Sequence, residues 1–249
     1  MLTEERQRYI LDQLQQQPIV KLKALMQALG ASESTIRRDL CELEDAGKLR
    51  RIHGGAERLE SAPIEPSVHE KAARYLIEKQ RIAQAAVQLV PEHATIFLDA
   101  GTTTAQLIPL LKAKNVTVVT TGVDNASALA DADITAMILG GKIKSATKAT
   151  VGAETVAALQ QRHFDVAFIG ANGIHPKFGL TTPDAEEAVV KQTALTQAHT
   201  AVVLADPSKF GEVSFAKIAP LSAATILTTS LAQLSPVFAD YPNIQEVQS

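Results

Sequence analysis

From residue 95 onward, short aliphatic runs alternate with helix-patterned stretches, and nearly every run ends in Gly, Asp, Asn or Thr. The runs are 95–101, 116–122, 134–141, 165–172, 200–206 and 224–229, and the clearest helical stretches between them are 102–113 and 123–132. Apolar runs of four to eight residues separated by helices specify a mostly parallel sheet, because parallel strands need a long crossover and a helix supplies it. A chain that is 46% hydrophobic with no Trp and only 4% aromatic residues suits such a fold, whose core is built from aliphatic strands under Ala- and Leu-rich helices.

Ligands of open parallel sheets sit beyond the carboxyl ends of the strands. The candidate ligand-binding residues are therefore those that follow each run. They are Asp99, Gly101, Thr102, Thr103 and Thr104 after the first and Thr121 after the second. Gly141 and Lys142, with Lys148 beyond, follow the third, Asn172 and Gly173 the fourth, and Lys209 the fifth. Backbone N–H groups and hydroxyls in the Thr-rich turn suit an anion such as phosphate, although helix capping explains such a turn equally well. The turn has no Walker lysine and no G-x-G-x-x-G spacing, which argues against nucleotide hydrolysis and dinucleotide binding.

The first sixty residues read differently. Thr3 can cap a helix whose stripe is Ile10, Leu11 and Leu14, and Pro18 stops it. A second helix over 21–29 ends at Gly30, and a third, capped by Ser32 or Ser34, runs to about residue 46 with Ile36, Leu40 and Leu43 inward. Ser34, Thr35, Arg37 and Arg38 are left outward, where they can donate to base edges and phosphates. A short basic strand over 49–52 and a tight turn at His53, Gly54 and Gly55 complete the pattern of a winged helix-turn-helix.

The net charge of −3 does not point to nucleic acid, but residues 1–58 are net +1 and the remainder net −4. The single cysteine, Cys41, excludes an internal disulfide and any cysteine zinc cluster, and it reads as a packing residue in the third helix. Polar residues occupy the first positions and no run is long enough to span a bilayer, so a cytoplasmic protein with no membrane partner is expected. Pro63 and Pro66 mark a connector. The domains expected are 1–57, a linker 58–74, and 75–249, opening on a helix near 71–90 with Ile82, Ala85, Ala86 and Leu89 inward.

The stretch "SESTIRRDLCELEDAGKLRRIHGGA" resembles the DNA-binding signature of the DeoR family of sugar-metabolism regulators. The resemblance implies that Ser34, Thr35, Arg37 and Arg38, with the Ser32 that precedes them, face DNA and that Arg51, His53 and Gly54 form the wing, with Asp39 positioning an arginine. "LDAGTTT", "LGGK", "VGAET", "GANGI" and "LADPSKFG" resemble the sensor domain of the same family, related to the ribose-5-phosphate isomerase fold. Within the family the chain looks most like regulators of fructose operons. The resemblance implies a homo-oligomeric repressor (dimer or tetramer) of double-stranded operator DNA, released by a sugar phosphate, fructose 1-phosphate first. Regulators of lactose and tagatose metabolism are rivals.

An isomerase is the competing reading. It needs a carboxylate base, yet Asn172 stands where the isomerases carry an acid, Thr181, Thr182 and Pro183 occupy their Lys–Gly region, and Lys191 falls near their catalytic Glu. Glu186 and Glu187 remain as possible bases or ligand contacts, though Asp184 would make them an ordinary acidic first turn. Binding without turnover is expected, with no cofactor and no metal. A scaffold that binds no ligand is the third class.

Overall fold

The computed structural model describes residues 3–17, 19–45, 48–52, 54–57, 67–230 and 234–247. The chain divides into two units, Met1–Ile64 and Glu65–Ser249.

In the first unit, three helices bury one stripe each against a small sheet. The elements are α1 (Thr3–Gln16), β1 (Ile19–Lys21), α2 (Leu22–Leu29), α3 (Glu33–Asp45), β2 (Arg50–Ile52) and β3 (Gly55–Glu57). Ile10 and Leu14 of α1, Leu22 and Leu25 of α2, and Ile36, Leu40 and Leu43 of α3 converge with Val20, Leu49 and Ala56 on one core. The antiparallel sheet has the order β1-β3-β2, so β3 pairs with both neighbours. The apolar periodicity predicts the three helices and the wing turn, but β1 and β3 carry no such signal. Three residues are too few to show alternation, and only Val20 of β1 is buried. Helix α2 starts at Leu22, because Lys21 is extended, and ends where Gly30 turns left-handed. Pro18, Ala46 and Gly47 lie outside the described residues.

The second unit begins with α4 (Val68–Ala73) and α5 (Leu76–Ala86), and continues through β4 (Thr95–Leu98), α6 (Ile108–Leu111), β5 (Thr117–Thr120), α7 (Val123–Asp131) and β6 (Ala136–Ile138). A hairpin follows, β7 (Lys142–Lys144) and β8 (Ala149–Val151), then α8 (Ala153–Gln160), β9 (Phe164–Ile169), β10 (Gly173–His175), β11 (Gly179–Thr182) and α9 (Ala185–Thr196). The last strands are β12 (Ala198–Leu204), β13 (Ala216–Ala219), β14 (Thr225–Thr228) and β15 (Ile244–Glu246).

Seven strands form one parallel sheet in the order β15-β14-β12-β9-β4-β5-β6. Successive residues of each strand enter opposite faces. Phe97, Val119, Ile169 and Val203 pack with Leu159, Ala188 and Ala194 on one face. Ile96, Leu98, Val118, Phe168 and Val202 pack with Ile82, Leu107 and Leu129 on the other. The strand order reverses between β4 and β9, so the crevice expected to hold ligand opens there. β10, β11 and β13 form a separate antiparallel sheet.

Three expectations need correction. The connector expected to extend to residue 74 is already helical over Val68–Ala73. The single helix expected over 71–90 is broken at Tyr75, which is left-handed (φ 55°), and its tail is a 3-10 turn over Val87–Leu89. The inward residues there include Ile82, Ala83 and Ala86, whereas Leu89 is 41% exposed. The helix expected over 102–113 is a 3-10 turn, the four-residue α6 and a second 3-10 turn, since Pro109 sits at the start of α6 and restricts the helix to begin there. Among the described residues no helix is long and apolar enough to cross a membrane.

Candidate functional site

The outward face of α3 is built at its start by Ser32. Its hydroxyl accepts from the Thr35 amide (3.3 Å) and lies 3.0 and 2.8 Å from the Ser34 and Thr35 hydroxyls. Ser34, Arg37 and Arg38 are exposed and Thr35 half-exposed. Glu33 steadies Arg37 one turn away (2.7 Å). Asp39 points inward and is fully buried, accepting from Arg6 Nε (2.7 Å) and Nη2 (3.0 Å). That bond holds the Arg6 guanidinium above its ordinary pKa and fastens α3 to α1. Asp39 therefore positions an arginine of α1 rather than one of its own helix.

In the wing, Arg51 donates from its amide (2.9 Å) and Nε (2.8 Å) to Glu44, and from Nη1 to Cys41 Sγ (2.9 Å). The amide bond is the first cause holding the Glu44 carboxyl below its usual range. Arg50 pairs with Glu57. The wing arginines thus lock β2 to α3 and β3, and Cys41 is a half-buried acceptor in that lock. Gly54 turns the wing with φ 86°, and His53 lies outside the described residues.

At the switch point of the second unit, Asp99 is 2% exposed and its carboxylate is saturated from within. Oδ1 accepts from the Gly101 amide (2.8 Å) and the Thr104 hydroxyl (2.7 Å), and Oδ2 from the Gly170 amide (2.6 Å) and the Lys191 ammonium. Lys191 also donates to the Gly170 carbonyl (3.0 Å). Asp99 therefore holds the loops after β4 and β9 together and presents no oxygen to a ligand, contrary to its expected contact. Thr103, Thr104 and Thr121 are buried, and the Thr121 carbonyl accepts from the Thr150 amide (2.8 Å).

Beside this knot a pocket of about 100 Å³ opens. Gly101 and Thr102 after β4, Gly122, Asp124 and Asn125 after β5, Thr147 and Lys148 of the hairpin, and Val68 and Ala72 of α4 line it. Lys148 pairs with Asp124 at 2.9 Å, and Asn125 donates to the Asp99 carbonyl (2.7 Å). The hairpin is clamped to the start of α9. Lys144 reaches Asp184 (3.3 Å) and Glu187 (3.2 Å), and the Thr147 hydroxyl donates to Glu187 (2.6 Å). Asp184 caps α9 by accepting from the Glu187 amide (2.9 Å). Farther out, Lys142 pairs with Glu186 at 2.8 Å, which raises the lysine's pKa.

Of the expected ligand residues, Gly101, Thr102 and Lys148 line this pocket. Gly141 serves the frame: with φ 144° and no room for a Cβ, which would lie 2.1 Å from the Thr155 hydroxyl, it admits only glycine. Gly173 is likewise enclosed, a Cβ there meeting the Glu212 carbonyl at 2.5 Å. Asn172 accepts from the Thr182 hydroxyl (3.1 Å), away from the pocket lining. Lys209 belongs to a second group that sequence reasoning missed. Lys79, 3% exposed, stands in the field of Asp206, Lys209 and Lys71, with its ammonium on the Lys71 carbonyl. Burial is the first cause pushing its pKa down. Asp206 opposes the shift, and Lys209 and Lys71 add to it. The signal available was Lys79 on an otherwise apolar helical face beside Ile82 and Ala83.

Residues 75–230 match the DeoR C terminal sensor domain, and residues 6–62 match the DeoR-like helix-turn-helix domain. The chain belongs to the DeoR family. This DeoR-family transcription regulator is 45% identical over 247 residues to an HTH-type transcriptional regulator of Bacillus subtilis named FruR, which is itself uncharacterized, covering 99% of this chain and 96% of that one. It is 36% identical to the HTH-type transcriptional regulator GlpR of Haloferax volcanii (92% and 90% covered). It is 33% identical to the lactose phosphotransferase system repressor of Streptococcus mutans (92% of each). Among solved structures, ribose 5-phosphate isomerase A from Methanocaldococcus jannaschii matches 53% of each chain at 21% identity and a TM-score of 0.40.

Proposed function

We propose that this regulator represses a sugar-utilisation operon, that its first unit reads operator DNA, and that a phosphorylated sugar bound at the sheet edge of its second unit releases the DNA. Fructose 1-phosphate is the first candidate and the tagatose phosphates come second, as the resemblance to regulators of fructose operons and of lactose and tagatose metabolism implies. One winged helix covers one half-site, so a dimer or tetramer reading repeated half-sites is part of the proposal.

The observation that carries the reading is the pairing of cations and anchors with a neutralised base. Thr102 and Lys148 line the pocket, and on the same unit Lys79 stands in the field of Asp206, Lys209 and Lys71. The buried carboxylate at the switch point is spent on Lys191, two amides and a hydroxyl. An aldose–ketose isomerase needs a carboxylate that reaches its substrate, and both oxygens of Asp99 are already turned onto donors of the protein itself. Glu186 is exposed and paired with Lys142. The arrangement supports binding without turnover.

The test is a mobility shift on an operator selected from randomised DNA, titrated with fructose 1-phosphate, fructose 6-phosphate, fructose 1,6-bisphosphate and tagatose 6-phosphate. Release by one of them supports the reading. Tight DNA binding indifferent to all four, or isomerase turnover abolished by Glu186→Ala, counts against it.

A further inference from the structure

The pocket beside Asp99 is about 100 Å³, whereas sites that enclose a whole small molecule run to about 300–1,000 Å³. Beneath α4 there is room for a phosphoryl group, and the sugar attached to it would lie at the open mouth beside Val68 and Ala72. Its roof is α4, through Val68 and Ala72. This helix is short and tethered at its two ends. Ser67 and Glu70 close a capping box at its start, with the Ser67 amide donating to Glu70 (2.8 Å) and the Glu70 amide to the Ser67 hydroxyl (3.3 Å). The Val68 amide donates to the Ala146 carbonyl (3.2 Å) on the hairpin turn. At the other end the Lys79 ammonium holds the Lys71 carbonyl. Beyond it the chain breaks at Tyr75, whose φ of 55° is strained for a bulky residue. Upstream, nine residues of sequence lead back from Ser67 to Glu57 of the DNA-reading unit.

We propose that α4 is a displaceable roof: the sugar of a bound sugar phosphate lifts it off the pocket, and its movement carries the signal to the connector and the DNA-reading unit. The proposal rests on the reading of this pocket as the effector site. A ligand acts only by its different affinity for the two arrangements, and here the difference is steric. With α4 seated the phosphoryl group fits beneath it, and the sugar at the mouth presses against Val68 and Ala72.

Hydrogen exchange on the full-length protein tests the idea directly. Saturating fructose 1-phosphate is expected to accelerate exchange at the amides of 68–73, and inorganic phosphate, small enough to sit beneath the roof, to leave them protected. Two variants loosen the roof without ligand. Glu70→Ala opens the capping box, and Val68→Pro removes the N–H to Ala146, together with the Val68 side chain of the roof, at the first helical position, where proline is tolerated. Each is expected to move the ligand-free operator affinity toward its ligand-bound value by about three- to tenfold, the span that a lost helix cap transmits. Effector affinity should tighten by the same factor, since coupling is reciprocal. Faster exchange at 68–73 in Glu70→Ala with unchanged operator and effector affinities would overturn the proposal, as would bound fructose 1-phosphate with α4 still protected. If calorimetry finds no sugar phosphate bound to the wild-type protein, the effector reading itself fails and the roof falls with it.

Discussion

Lys191 grips Asp99 and, through the same ammonium, the Gly170 carbonyl 3.0 Å away, so one side chain of α9 ties together the two loops that flank the switch point. Both partners are nearly enclosed, at 11% and 3% side-chain exposure. Removing one partner of such a pair leaves an uncompensated charge. Lys191→Met is expected to cost about 3–5 kcal/mol in urea denaturation. The double variant Asp99→Asn/Lys191→Met should cost clearly less than that, because it leaves no stranded carboxylate. Equal losses in the single and double variants would show that the pair is not a coupled unit.

The two units predict separable defects. Arg37→Ala or Arg38→Ala should weaken operator binding about tenfold, and the salt slope should fall by about 1 wherever the arginine removed had faced a phosphate. Effector binding should be untouched. Lys209→Ala should do the reverse, with ligand-free DNA binding intact in a mobility shift. If both substitutions damaged the same function, the division of labour would be wrong.

Lys79 gives the stability of the second unit a pH signature. Its folded-state pKa lies below its unfolded value because burial disfavours the ammonium. The charge therefore costs stability at every pH below the lowered pKa, and the cost is relieved as pH rises from there toward the ordinary lysine value. Thermal melts from pH 7 to pH 10 check this slope, and Lys79→Met should flatten it.

Arg6 and Asp39 predict a defect at a distance. Arg6→Met leaves the buried Asp39 without its two guanidinium bonds and loosens α3 against α1, which the shared apolar core still holds. Operator affinity should drop although Arg6 lies outside the outward α3 face, and the melting temperature of the first unit should drop with it. A loss of affinity with an unchanged melt would mean that Arg6 touches DNA itself.

The sequence made six of the seven parallel strands and the helices of the first unit legible for a physical reason: aliphatic runs such as 116–122 stand out from their surroundings, and stripes such as Ile36, Leu40 and Leu43 repeat at helical spacing. The edge strand β15, the hairpin β7–β8 and the sheet β10-β11-β13 were not legible, because short segments such as Lys142–Lys144 and Gly173–His175 mix charged residues, glycine and histidine with single apolar ones and form no aliphatic run. Site residues were found by their place after strands, and Thr102 and Lys148 do line the pocket. Position along the chain could not say which of them turn inward. Asp99 and Thr104 look like ligand contacts in sequence and prove to be each other's partners at 2.7 Å. Val68 and Ala72 were hidden in a stretch read as linker. Lys79 was missed because a buried lysine on an apolar face is visible only once its neighbours from other elements are placed.

The tie between Asp99 and Lys191 spans 92 residues of chain. Loop closure over such a distance is slow, and parallel sheets form late for that reason. The first unit closes its core within its own sixty-odd residues. As the chain leaves the ribosome, domains fold in order from the N-terminus. The DNA-reading head is therefore complete while the switch point still lacks α9, and every newly made molecule passes through an interval in which a reader exists before its sensor domain does.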